Sequence, residues 1–324
     1  MSWVALGGCL AVTLAVSLLA LAHERSRDGL RFNTRAEALQ GAVVERVASY
    51  VQVLKGAAGL FAASEAVGRD EWRAYYERLE LSEHYRGVQA LAFVAYVART
   101  NVADFLAGTR QDRTRDYDPA GFRIWPEADR EGHDVVTYIE PMRSNLAALG
   151  YDLASEPARR QAAEEARDTG EARLTGKIRL VQASAGPGVL LLLPIYFNGT
   201  NPTNVVQRRA RLQGWVDASF VMKDLMAGIN QYTGGEVAVE IYDGTETTPE
   251  TLLYRDGDDP TLAASSPRSQ AAFRLKTTVP VEHRTWTMRF AAQPAFRAPY
   301  GHALPRLLGA AGVCISLLVF GMVR

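Results

Sequence analysis

The sequence predicts an α+β protein: a long helix followed by two small mixed α/β units, with an apolar helix at either end. Three observations lead there. Apolar residues recur every three or four positions from Phe32 to Phe61, the period of one helix face. Beyond Val88, short β-type runs alternate with loops bearing Gly and Pro. Two uncharged apolar runs, Trp3 to Ala22 and Leu307 to Val323, stand near the ends.

The first run has the length needed to cross a bilayer as a helix. No Lys or Arg precedes Arg25, so the basic opening of a signal peptide is missing. Leu6-Gly7-Gly8-Cys9 opens the apolar run, whereas a lipoprotein box follows one. We therefore expect a membrane span over 3–22. The closing run is shorter; with Arg306 snorkelling, a second span is expected over 304–323. Between them lies a body of ordinary soluble composition, expected on the extracytoplasmic (periplasmic) side of an inner membrane. Lys plus Arg and Asp plus Glu each number 36, giving zero net charge, so nothing points to nucleic acid. Cys9 and Cys314 lie inside the spans, which leaves the body without disulfide or thiolate metal site.

The stripe Phe32, Ala36, Leu39, Val43, Val47, Tyr50, Leu54, Ala58 and Phe61 places a stalk helix over 25–66. That stripe serves either as a core face or as the seam of a homodimer. Gly68 ends it, and Asp70 to Leu81 reads as a second helix. Val88 to Ala98 is a strand, and Asn101 caps a helix reaching Asp112. Strands are expected at Phe122 to Trp125 and Val135 to Glu140. Ser155 and Pro157 open a helix that Gly170 closes. Two strands follow, Ala172 to Gln182 and Val189 to Phe197, the latter apolar enough to be buried on both faces. Asn198 to Asn204 is a loop. A second unit is expected from Leu212, with a strand to Ala218 and a helix from Ser219 to about Ile229. Its further strands are Val237 to Tyr242, Leu252 to Tyr254, Phe273 to Val279 and Arg284 to Phe290, with a loop-rich stretch over Asp243 to Arg268. The resulting division is 67–205 for the membrane-distal unit and 206–298 for the membrane-proximal one.

The chemistry is sparse. His23, His84, His133, His283 and His302 include no two at a metal-ligand spacing. Ser184 and Ser219 have no adjacent activating base. No phosphate-binding or dinucleotide fingerprint occurs. His133-Asp134 reads as a solvated pair. Glu164, Glu165 and Asp168, with Arg160 and Arg167 at helical spacing, read as a wet helix face. Asp152 differs. It sits among Leu149, Tyr151 and Leu153, ahead of the helix. If buried, it needs either a structural partner or a ligand donor. Tyr138, Glu140 and Tyr196 add polar points around a largely apolar cavity.

Gly150-Tyr151-Asp152-Leu153, Arg159-Arg160, Ala166-Arg167-Asp168-Thr169-Gly170, Leu174-Thr175-Gly176, Leu180-Val181-Gln182 and Leu193-Pro194-Ile195-Tyr196 together resemble the CHASE domain. The resemblance is strong from about Asp134 to Asp217 and looser from about Ala38 to Ile229. It implies an extracytoplasmic small-ligand sensor whose two units are PAS-like, with the ligand in the distal one. In plant cytokinin receptors the family's pocket aspartate binds an adenine-type ligand; its position resembles Asp152, and the pocket Leu-Thr pair resembles Leu174 and Thr175. Gly150-Tyr151 and Gly176-Lys177 depart from the plant pattern, so this chain resembles the bacterial branch.

The expected function is thus the input module of a membrane receptor, with no catalytic residue, metal or cofactor. An output kinase or diguanylate cyclase is expected beyond Arg324. Ligand-binding candidates are Asp152, Leu174, Thr175, Tyr138, Glu140 and Tyr196. Two rivals are a cell-envelope enzyme using Asp152 and Glu140, and a dimerisation module without ligand.

Overall fold

The computed structural model describes residues 2–81, 87–113, 117–181, 186–197, 202–257, 273–296 and 303–323. His84, His302 and Ser184 lie outside them, as do parts of the loops expected at 183–188, 198–204 and 243–268.

Helix α1 runs unbroken from Ser2 to Ala63. The expected span and stalk are therefore one rod, ending three residues before the expected 66. No proline interrupts it, so every backbone N–H past its first turn finds its carbonyl. Its stripe is consumed inside the chain: Phe32, Leu39, Val43, Val47, Tyr50, Leu54 and Phe61 are all buried. Each such side chain contributes roughly 1.5–3 kcal/mol on leaving water. The apolar first third, by contrast, is largely exposed, with Trp3 75% and Leu19 70% exposed. Among the described residues, α1 is the one helix long and apolar enough to cross a membrane.

After α2 (Arg69–Arg78) the chain builds a five-stranded antiparallel sheet from β1 (Val88–Ala98), β2 (Gly132–Glu140), β3 (Arg173–Leu174), β4 (Gly188–Tyr196) and β5 (Leu212–Val221), in the order β2-β1-β5-β4-β3. One face lies on α1, where Tyr50 meets Phe220 and Phe61 meets Phe93, both at ring-centroid distances of 4.6 Å. The connections carry α3 (Val102–Gln111), the short α4 (Met142–Asn145) and α5 (Pro157–Thr169). Helix α5 covers the opposite face. Its buried Ala162, Ala163 and Ala166 allow a close approach, and Trp215 Nε1 donates to the Ala163 carbonyl at 3.0 Å.

Past α6 (Val205–Ala210) and α7 (Met222–Leu225), a second antiparallel sheet forms from β6 (Val237–Asp243), β7 (Leu252–Arg255), β8 (Arg274–Val281) and β9 (Arg284–Ala292), in the order β7-β6-β9-β8. It packs lower on α1. Phe32 stacks on Phe273 and meets Phe296 edge-on. Thr277 Oγ1 donates to Gln40 Oε1 at 2.6 Å, and Arg31 and Arg35 both pair with Glu236. Helix α8 (Ala303–Val323) returns antiparallel to the start of α1, with Trp3 against Phe320 and Gly312 directly over Thr13.

Several elements differ from expectation. The strand from Leu212 does not open the second unit; it is the centre of the first sheet, between β1 and β4. It runs on through Ser219 to Val221, so the helix expected at Ser219 is only the turn Met222–Leu225. Long-range pairing with both neighbours overrides the local helical pattern there. Phe122 to Trp125 forms no strand, only a bridge from Trp125 to Tyr151. The strand expected over Ala172 to Gln182 shrinks to Arg173–Leu174 and one bridge at Ile178. The cap of α5 is Glu156, whose carboxylate accepts from the Ala158 and Arg159 amides, not Ser155. Gly170 closes α5 with φ of 79°, as its position implies.

Candidate functional site

Between the α5 face of the first sheet and the segment 148–153 lies a small cavity of about 20 Å³, room for about one water. Ala92, Val136, Ile139, Leu190, Asp217 and Ser219 form its floor; Ala148, Tyr151, Leu153, Arg159, Leu180 and Val181 form its walls. The floor follows from register. Asp217 pairs with Ala92 and Leu192, and Ser219 with Ala90 and Leu190. Alternation then points 215, 217 and 219 toward α5 and 216, 218 and 220 toward α1.

The polar groups in this cavity are unevenly satisfied. Arg159 is 4% exposed. Its guanidinium donates to Tyr151 Oη at 2.8 Å and to the Arg179 carbonyl at 2.6 Å and lies over the Tyr151 ring. Its Nε is buried with no partner. The Asp217 carboxyl is also buried, and no hydrogen bond from its side chain is seen among the described residues. Burial pushes its pKa up to about 7, with the Arg159 charge pulling the other way. Removing a carboxylate from water without donors penalises its charged form.

Asp152 is the opposite case. It has no exposure at all. Its Oδ1 accepts from the Asp134 amide at 2.9 Å and the Ala154 amide at 3.0 Å, and its Oδ2 sits 2.9 Å from His133 Nδ1. The segment holding it is sewn down on both sides. The Asp152 amide donates to the Trp125 carbonyl, Val136 N to the Tyr151 carbonyl and Gly150 N to the Val136 carbonyl. Gly150 has φ of 75°, and a Cβ there would meet the Arg123 oxygen at 2.0 Å, so only glycine fits. Asp152 thus fixes the wall that presents Tyr151 and Leu153 to the cavity. His133-Asp134, expected in solvent, is buried as part of this staple, because Asp152, 18 and 19 residues further on, folds back onto it.

The other candidates are dispersed. Leu174 is buried on edge strand β3, paired with Leu191. Thr175 Oγ1 donates to the Gly176 carbonyl and accepts from Leu190 N, both at 2.9 Å. Tyr138 lies on the α1 side, against Phe93 and under the Arg69 guanidinium. Glu140 accepts from Met142 N at 2.9 Å and meets Arg73 at 3.3 Å. Tyr196 donates to the Arg167 carbonyl at 2.7 Å, and burial raises its pKa to about 12. None of the six lines the cavity. Asp168, on the exposed side of α5, pairs with Arg167 and with Arg209 from α6, which hold its pKa far below the ordinary range. No group of His, Cys, Asp or Glu that would hold a metal occurs among the described residues.

Asp217 escaped sequence reading. Its one signal is a carboxylate at an inward position of a strand otherwise made of apolar and small residues, GWVDASFV.

The site is thus a small polar-and-apolar cavity on an antiparallel sheet, in a body carried by an apolar-tipped helix. The chain belongs to the CHASE domain family, whose model matches residues 65–254. It is also similar to a Dictyostelium discoideum protein, Hybrid signal transduction histidine kinase A: 24% identical over 227 residues, covering 64% of this chain and 10% of that protein. The chain spans about a tenth of that relative's length. The family places the chain among the sensor input domains of signalling receptors, which are extracytoplasmic and not catalytic.

Proposed function

We propose that the chain senses a small ligand at the Asp217–Arg159 cavity and passes the bound state along α1 to the membrane. One observation carries the proposal: a buried carboxyl, Asp217, and a buried guanidinium, Arg159, line one cavity, and the Arg159 Nε has no hydrogen-bond partner. A ligand with a donor for Asp217 and an acceptor for Arg159 supplies what the protein withholds. Asp152 shapes the wall in this reading. The cavity holds only a water-sized guest, so a larger ligand moves the 148–153 wall or α5 outward. Ligand then prefers one of two states, which signalling requires.

Strand order supports a PAS-like reading of both units: β2-β1-β5-β4-β3 in the first, and β7-β6-β9-β8, the same order less one edge strand, in the second. The largely exposed apolar start of α1 and its antiparallel partner α8 support a two-span anchor with the body outside the inner membrane. An output domain beyond Arg324 completes the receptor in this reading.

The test is a thermal-shift screen of the whole chain in detergent micelles against amines, purines, amino acids and carboxylates. A hit at about 100 times its dissociation constant should stabilise by about 2.7 kcal/mol. Asp217→Asn should weaken that hit without lowering the midpoint of the free protein. A panel with no hit, or a hit indifferent to Asp217, counts against the reading.

A further inference from the structure

We propose that the segment Glu171–Leu180 is a mechanical latch that couples the cavity to the second sheet; this rests on the cavity being the sensing site. At one end, the cavity guanidinium of Arg159 holds the Arg179 carbonyl at 2.6 Å, and Leu180 lines the cavity itself. At the other end the segment grips the β6 terminus and the β8–β9 hairpin of the second sheet. Asp243 Oδ2 accepts from Lys177 N at 2.9 Å, while Asp243 Oδ1 accepts from Arg284 Nε and Nη2 at 3.0 and 2.7 Å. Lys177 Nζ donates to the Pro249 and Glu250 carbonyls at 3.2 and 2.7 Å. His283 Nε2 stands 3.2 Å from Glu171 Oε2.

Three features set this contact apart from ordinary packing. The segment begins as the edge strand β3 and then leaves the regular ladder: after Leu174 its ties to β4 are the Thr175–Leu190 bonds and the Ile178–Gly188 bridge. Gly176 lies close against the second sheet: a Cβ there would stand 3.0 Å from Asp243 Oδ2 and 3.1 Å from Arg284 Nη2. The hairpin it grips turns through Glu282 and His283 at φ of 42° and 64°, left-handed values that a two-residue hairpin demands and that Gly or Asn adopt far more readily. Beyond the hairpin, β8 touches α1 through Thr277 and Gln40. A continuous path therefore runs from Arg159 through the segment and hairpin to α1.

The experiment needs no ligand: hydrogen exchange by mass spectrometry on the full chain in nanodiscs. The variants are Arg159→Lys, Asp243→Ala and the pair. Arg159→Lys, which loses the fork, should speed exchange at 174–180 and also in the hairpin peptide 281–292, by about tenfold, or about 1.4 kcal/mol. In the Asp243→Ala background the hairpin should already exchange fast and gain nothing further from Arg159→Lys. A hairpin indifferent to Arg159→Lys overturns the latch, as does a response of equal size with Asp243 removed. If Asp243→Ala fails to fold, Arg284→Gln replaces it, with the same two outcomes. A failed latch leaves the ligand screen standing, and a failed screen leaves this cycle measurable.

Discussion

Asp152 and Asp217 are both buried carboxylates of the first unit, and they do opposite work. Asp152 receives two amides and the His133 ring, so its charge is answered by the protein around it. Asp217 faces a cavity with only the Arg159 charge nearby. Burial alone therefore does not mark a binding residue. A buried carboxylate with its acceptors filled holds the fold, whereas the one lining the cavity is where the proposed ligand docks.

The largest test of this contrast is Asp152→Ala. It strands the buried Asp134 and Ala154 amides and the His133 ring, and should lower stability by about 3–5 kcal/mol in urea unfolding. Asp152→Asn should recover much of that loss. If Asp152→Ala unfolds near the wild-type midpoint, the staple is not structural. Asp217→Asn should act in the other direction above pH 7, raising the midpoint because an ill-solvated charge is gone.

Between these lies a pH effect. Folding raises the Asp217 carboxyl from 3.8 to about 7, and Asp134 moves likewise through burial and the neighbouring Asp152 charge. The folded state therefore holds protons that the unfolded chain has released. This contribution is complete below pH 3.8 and is lost as pH rises through about 7. Thermal midpoints should fall over that window and fall less steeply in Asp217→Asn, with Asp134 supplying the remainder. An identical slope in the two proteins would place Asp217 in contact with water.

The smallest effect belongs to Asp168. Its pairs with Arg167 and Arg209 stand at the surface, where screening leaves such contacts within about 1 kcal/mol. Asp168→Asn should shift stability by no more than that, and the shift should vanish in 1 M salt.

Much of this was legible in the residues. The apolar period from Phe32 to Phe61, the strands at Val88, Val189 and Val237, and the Gly170 cap depend on neighbours a few positions away. The GYDL segment and its surroundings carried enough pattern to point to the family. Asp152 stood out as a residue apart from the wet face of α5, but two of its three partners lie 18 and 19 residues back, in β2. The sequence by itself determined the rod, the strand and helix alphabet and the class of protein, because periodicity and capping are local properties of the chain. Only the tertiary structure decided that the strand from Leu212 sits at the centre of the first sheet, that Thr175 is bonded to Leu190 and Gly176 while Asp217 faces a cavity, and that Gly176 meets Asp243. Those outcomes depend on which strands become neighbours and which side chains share a face. Sheet register sets both, across separations that no local pattern reports.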